Sequence, residues 1–278
     1  MSILVHKAGI GKTTGQKSNP SRTTEDGSTI DFLQPNLLSF FDPSSGITTS
    51  AGTTTWSPSS GSSSLKLRLF NSPTVVSGPP SYISFDGVND YIGPTSTGYG
   101  GNPLKLDNAY WTIGCWVYAN WSGNTTLLFC VQEPDNSVST PGFFVEVDNV
   151  GTIQVIGNNS ANGLQSTNST LADNKWSFIS LSYETGTYYL YVNGRFVGSG
   201  NEPDTLTNVT GEPFGFAHNL RGGTFYNGNS TLRLGRIYIY RTAAIADRLF
   251  ASKHRFLFLA SHDMHDGKYY GSDVASYV

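Results

Sequence analysis

Short runs of apolar residues, several alternating with polar ones, recur along the chain and are separated by clusters of Gly, Asn, Asp, Ser and Pro. They are Leu37–Phe41, Leu65–Phe70, Tyr82–Phe85, Trp111–Tyr118, Leu127–Gln132, Phe143–Val147, Thr152–Ile156, Trp176–Tyr183, Tyr188–Val192, Arg195–Ser199 and Leu232–Tyr240. Period-2 alternation over four to eight residues predicts half-buried strands, and their recurrence at about 8–12 residues predicts a sandwich or barrel. The sharpest turn signal is Asn193-Gly194 between Tyr188–Val192 and Arg195–Gly198. Both turn residues tolerate positive φ, as a two-residue type I′ hairpin requires. One helix is predicted over Ala243–His254, where Ala246, Leu249, Phe250 and Lys253 recur at three- and four-residue spacing behind Thr242 as N-cap.

The flanks lack this pattern. Residues 1–35 have no hydrophobic period and read as an extended arm. Residues 257–278 form a tail beyond the last strand. Its His262, Asp263, His265 and Asp266 read as solvated groups rather than a metal cluster. The expected organisation is therefore an arm (1–35), one β domain (36–256) and a tail (257–278).

Composition narrows the classes. The 278 residues are 37% apolar and 13% aromatic, enough for a core, but only 13% charged, about half the ~25% of an ordinary soluble protein. Seventeen Lys+Arg against 20 Asp+Glu give a net charge of −3, which excludes a nucleic-acid binder of the electrostatic kind. Lys7, Lys12, Lys17 and Arg22 lie in the arm, and the next cation is Lys66. No apolar run approaches the ~18 residues of a membrane helix. The run Ile3–Val5 is too short for a secretion-signal core, so no secretion is expected. The sequons at Asn120, Asn124, Asn158, Asn168, Asn208 and Asn229 are accordingly read as unmodified. Gly9-Ile10-Gly11-Lys12-Thr13 is not a phosphate loop, because His6 stands where the first Gly belongs and neither strand nor helix flanks it.

The two cysteines leave two readings. A hairpin about Ser122-Gly123 sets Cys115 opposite Cys130, within reach of a cross-strand disulfide. The favoured alternative is a pair of buried thiols acting as small hydrophobes, since two cysteines do not make a disulfide framework.

Several segments, in order, resemble laminin-G-like, concanavalin A-like jelly-roll domains. Phe85-Asp86-Gly87-Val88-Asn89-Asp90-Tyr91-Ile92 resembles the family's FDGxxDYV opening, and Trp111–Val117 its FTISAWV strand. Asn174–Ile179 resembles the xxWHHVA strand, Tyr188–Gly200 the LYVNGxLVxSG hairpin and Gly235–Arg241 the strand before the closing helix. The lead-in Leu37–Pro43 followed by Trp56 is similar to that of many bacterial and phage members. The resemblance spans about residues 36–256. It implies an all-β, two-sheet antiparallel jelly-roll sandwich with one short C-terminal helix.

It also frames the candidate chemistry. Hydrolases of this fold carry Glu-x-Asp-x-(x)-Glu on one strand, where alternation sets the carboxylates on one face. Glu146-Val147-Asp148 begins that pattern, but no second Glu follows, so no catalytic residue is assigned. Asp86, Asn89 and Asp90 offer oxygen ligands, and Ca²⁺ sites occur in the family. The favoured reading of the three is an Asx turn that fixes the loop. Trp121, Tyr189, Tyr191 and Tyr226 are the candidate glycan-binding rings, with Tyr189 and Tyr191 on the strand face opposite Leu190. Cross-strand packing inside the sandwich is the competing reading.

The first functional reading is a non-enzymatic virion structural or attachment protein: a capsid decoration, fibre or tail adhesin. It displays a lectin-like domain, contacts other virion proteins through residues 1–35, and has cell-surface glycans as candidate ligands. A homo-oligomer is compatible with it; nucleic acid and membrane are not expected partners. The second is a carbohydrate-binding module at a bacterial cell surface or outside the cell. A glycoside hydrolase ranks third.

Overall fold

Where the apolar alternation breaks, the chain turns, and the strands so delimited assemble into two large sheets. The computed structural model describes residues 21–23, 29–31, 37–59, 65–78, 80–94, 110–121, 126–131, 143–157, 164–184, 186–193, 195–201, 214–216 and 232–240. The chain divides into two units, Met1–Pro35 and Asn36–Val278. In the first, β1 (Ser21–Thr23) pairs antiparallel with β2 (Thr29–Asp31), Arg22 opposite Ile30. A short ladder thus occurs in a segment read from sequence as an irregular arm. Three-residue strands are too short to show a period.

The second unit contains β3 (Leu37–Phe41), β4 (Ile47–Ser50), β5 (Thr53–Trp56), β6 (Leu67–Phe70), β7 (Thr74–Val76), β8 (Tyr82–Ser84) and β9 (Tyr91–Pro94). It continues with β10 (Tyr110–Ala119), β11 (Thr126–Val131), β12 (Phe143–Val147), β13 (Thr152–Gly157), β14 (Leu164–Thr170) and β15 (Lys175–Glu184). It ends with β16 (Thr187–Val192), β17 (Arg195–Asn201), β18 (Phe214–Phe216) and β19 (Arg233–Tyr240). One sheet has eight strands in the order β17-β16-β15-β10-β19-β8-β7, with β3 also paired to β19. The other has nine, in the order β14-β13-β12-β11-β18-β9-β6-β5-β4. Every ladder is antiparallel.

One contiguous apolar core draws on both sheets. Ile113, Cys115, Leu181 and Ile237 come from the eight-stranded sheet; Trp56, Leu67, Phe129 and Val145 come from the nine-stranded one. The protein is the expected two-sheet β-sandwich of the jelly-roll class. No helix occurs among the described residues, and the predicted helix 243–254 and tail 257–278 lie outside them.

Local chemistry explains the turns. Val192 stands opposite Arg195 across the expected Asn193-Gly194 connection, with Asn193 at φ +50°. Asn193 also ties the hairpin to β15: its N–H donates to the Phe178 carbonyl at 2.7 Å, and its Oδ1 accepts the Phe178 N–H at 2.8 Å. The strands not foreseen are mostly polar or very short. β4 and β5 are Thr-rich, turn through Ala51-Gly52 at φ +47° and +76°, and join Thr48 to Thr55 (3.1 Å) and Thr49 to Thr54 (2.9 Å) through hydroxyls. β-Branching favours the strand there without an apolar signature.

The hairpin proposed to face Cys115 with Cys130 does not form. β10 lies between β15 and β19 in one sheet, and β11 between β12 and β18 in the other. The connection between them crosses from sheet to sheet. Both cysteines are buried free thiols. Burial pushes Cys115 far above the ordinary thiol range and Cys130 up to about 12, the latter opposed by the Gly215 N–H. Neither is a reactive thiolate near neutral pH.

Candidate functional site

Strand alternation gives the eight-stranded sheet two aromatic faces. In β10, Ile113, Cys115 and Val117 enter the core, so Thr112, Gly114, Trp116 and Tyr118 point to the outer face. Register sets Gly114 opposite Ser180, Trp116 opposite Phe178 and Tyr118 opposite Trp176. The middle of this outer layer is buried. Phe178 lies 5.2 Å from Trp116 and 6.0 Å from Tyr238, which is 4.9 Å from Phe40.

Toward one end of the layer the rings become partly exposed. Trp176 packs at 5.6 Å from Tyr118 and 6.0 Å from Tyr82. Arg233, opposite both Tyr118 on β10 and Ser84 on β8, places its guanidinium 4.5 Å from the Tyr118 ring and 5.1 Å from the Tyr82 ring. All four side chains are half-buried. Four strands, β15, β10, β19 and β8, each contribute one of them. Trp176 is the one tryptophan of the five that is not almost wholly buried; Trp56, Trp111, Trp116 and Trp121 are 0–1% exposed. Flat rings beside a guanidinium offer both halves of sugar recognition: apolar stacking surface and N–H donors for hydroxyls.

The rings singled out in the sequence are distributed differently. Tyr189 and Tyr191 lie on this same outer face, with Leu190 in the core. Tyr189 is half-buried. Tyr191 is 7% exposed and packs 5.4 Å from the Phe196 ring; burial, helped by the neighbouring Tyr189, pushes its phenol well above its ordinary range. Trp121 is 1% exposed, and its backbone N–H donates to Asp173 Oδ1 at 2.6 Å. For Trp121 and Tyr191 the expectation of solvent-facing rings is corrected: both fill packing space. Tyr226 lies outside the described residues.

The carboxylates serve turns. Asp148 Oδ1 accepts the N–H groups of Val150 (3.0 Å) and Thr152 (2.8 Å), closing the turn into β13. Glu146, half-buried and facing away from core residues Val145 and Val147, is raised by burial and then by the Asp148 charge. Glu146 and Asp148 thus lie close together, with Asp148 Oδ1 engaged in closing the turn.

Asp86, Asn89 and Asp90 form the Asx-turn network. Asp86 Oδ1 accepts the N–H of Val88 (2.8 Å), Asn89 (3.2 Å) and Asp90 (3.4 Å), and Asp90 Oδ2 accepts the Asp86 N–H at 3.1 Å. The Asn89 carbonyl is taken by Asn71 Nδ2 at 2.6 Å. Ca²⁺ wants six to eight oxygens; Asp86 Oδ1 and Asp90 Oδ2 are engaged by donors within the protein, whereas Asp90 Oδ1 is buried with no hydrogen-bond partner. No group of three His, Cys, Asp or Glu suited to a metal occurs among the described residues. Two carboxylates and one amide fall short of that oxygen number on their own. The expected result of chelation is an unchanged melting temperature.

The same loop predicts a pH effect. The Val88 N–H, against some desolvation and with the N–H groups of Asn89 and Asp90, holds Asp86 below its ordinary value of 3.8. Its stabilisation is therefore present above pH 3.8 and lost as pH falls through the lowered value. Asp90 is raised by burial, opposed by the Asp86 N–H and aided by the Asp86 charge, so its contribution runs the other way. Asp86→Ala is expected to cost about 1 kcal/mol at pH 7, modest because the carboxylate is exposed and screened. Chemical denaturation at pH 7 and pH 2.5 checks this: the difference from wild type shrinks at the lower pH.

These features define a lectin-like β-sandwich, and comparison with known proteins agrees. The sequence profile of the concanavalin A-like lectin/glucanases superfamily matches residues 86–244, more than half of the chain, and the chain belongs to that superfamily. No curated protein sequence matches it. Among solved structures, the chain is similar to the botulinum neurotoxin serotype D binding domain, with a TM-score of 0.56 and 14% identity over 82% of this chain and 51% of that one. It is likewise similar to the binding domain of botulinum neurotoxin DC in complex with SialylT, with a TM-score of 0.57 and 10% identity over 84% of this chain and 52% of that one. The chain thus spans about half the length of these binding domains. At such identities the likeness is one of fold.

Proposed function

We propose that the chain is a non-enzymatic, lectin-like binding domain whose glycan-contacting surface is the cluster Tyr82, Tyr118, Trp176 and Arg233. The observation that carries this reading is the half-buried Trp176 beside two tyrosines and a guanidinium, on a sheet whose other aromatics are mostly packed away. Membership of the concanavalin A-like lectin/glucanases superfamily supports a carbohydrate-directed sandwich, and the lack of a second Glu after Glu146-Val147-Asp148 favours binding over hydrolysis. The setting proposed from the sequence is a virion surface: residues 1–35, with their four cations, dock on other particle proteins and the low-charge sandwich faces outward. A module on a bacterial surface is the alternative setting. Copurification of the chain with virus particles distinguishes the two.

A glycan array tests the activity. Wild-type protein is expected to bind a defined subset of oligosaccharides, and Tyr118→Ala and Trp176→Ala to weaken that binding about tenfold or more, with near-native circular dichroism. Tenfold corresponds to about 1.4 kcal/mol, within reach of one truncated aromatic contact. Release of reducing sugar from any bound glycan, lost in Glu146→Gln, counts against the non-enzymatic reading.

A further inference from the structure

We infer that this surface selects acidic glycans, with Arg233 binding a sugar carboxylate. The inference rests on the glycan-binding reading above and names the ligand class. Arg233 is half-buried on the outer face of β19, between the rings of Tyr118 and Tyr82. Its side chain has no ion pair and no hydrogen bond among the described residues. The other arginine of β19, Arg236, behaves differently: its Nε donates to Asp42 Oδ2 at 3.0 Å. Both sit on one strand, yet only Arg236 has been given a carboxylate.

A guanidinium so placed has a specific chemistry. The two phenol faces take its apolar surfaces, an arrangement that favours the cation without consuming its N–H donors. Those five donors, in a planar fork, match a carboxylate in two parallel charge-assisted hydrogen bonds. Trp176, packed against both tyrosines, supplies a flat apolar face beside the charge. A hexose ring bearing a carboxylate, as in a sialic or uronic acid, presents both complements at once: C–H groups for the rings and an anion for the fork. A lysine could not substitute fully, because an ammonium is a point charge without the fork.

The experiment compares four forms of one oligosaccharide by calorimetry: with a terminal acidic sugar, with that carboxylate as its methyl ester, with a sulfate in its place, and with the acidic sugar removed. Wild-type protein is expected to bind the acid at least tenfold more tightly than the ester or the truncated form, and the preference is expected to fall with added salt. Arg233→Gln is expected to lose the preference, binding the acid and the ester alike, and Arg233→Lys to retain part of it. Equal wild-type affinity for acid and ester overturns the inference while leaving the glycan-binding reading intact. Tighter binding of a sulfated analogue than of the carboxylate also overturns it. Failure of every glycan to bind overturns both. The acid-to-ester ratio needs only wild-type protein, so the outcome stands even where a variant does not fold.

Discussion

Trp56→Ala is expected to destabilise the protein by about 3–5 kcal/mol, the range for removing a large aromatic from a packed core. Trp56 is 0% exposed at the end of β5, and its ring meets Phe41 of β3 edge-on at 5.2 Å. Phe41 belongs to the eight-stranded sheet and Trp56 to the nine-stranded one, so this contact joins the two. The indole N–H also donates to the carbonyls of Asp42 and Ser45, both at 3.2 Å, and pins the β3–β4 turn. Trp56→Phe keeps most of the ring volume and loses the donor, and is expected to cost about 1–2 kcal/mol. Urea denaturation of the three proteins checks the order. A Phe variant as damaged as the Ala variant would show that the turn contacts outweigh the packing.

The second large effect comes from adding a single carbon. A Cβ at Gly114 would lie 2.7 Å from Phe178 Cζ. Phe178 is held between Trp116 and Tyr238 and is 0% exposed, so the ring has no free direction in which to move. Gly114→Ala is expected to cost about 1–3 kcal/mol through overpacking. Pairing it with Phe178→Leu, which shortens the obstructing side chain, is expected to cost less than the sum of the two single changes. A double-mutant cycle reads this coupling directly, and strict additivity would mean that the two sites do not touch.

The sequence reveals much of the sandwich because its signals are local. Period-2 alternation marks Trp111–Tyr118 and Trp176–Tyr183 without knowledge of their neighbours, and Asn193-Gly194 marks its own hairpin. What it hides is sheet membership. β10 and β11 follow one another and look like a hairpin, yet they belong to different sheets, and the imagined Cys115–Cys130 pairing disappears with it. Nothing in either strand records which edge it presents to which neighbour.

The candidate surface was hidden for the same reason. Alternation places Tyr189 and Tyr191 opposite Leu190, as the structure has them, because that depends on one strand alone. Tyr82, Tyr118, Trp176 and Arg233 come from four strands that are remote in the chain, and only the β15-β10-β19-β8 register brings them together. One signal was available: Tyr118 and Trp176 are outward residues next to the ends of the two longest strands. Trp121 misled because a turn-like sequence suggested exposure, whereas Asp173 ties its backbone down and the core takes its ring.

The most direct test of the glycan-contacting surface uses the five tryptophans. In protein labelled with ¹⁵N at the indole nitrogens, four resonances report rings that are 0–1% exposed, and one reports Trp176. Titration with the tightest-binding glycan of the array is expected to move the Trp176 resonance in a saturable way and to leave those of Trp56 and Trp111, in the inter-sheet core, in place. A Trp176 resonance that stays fixed while calorimetry shows the glycan bound to saturation would contradict the account.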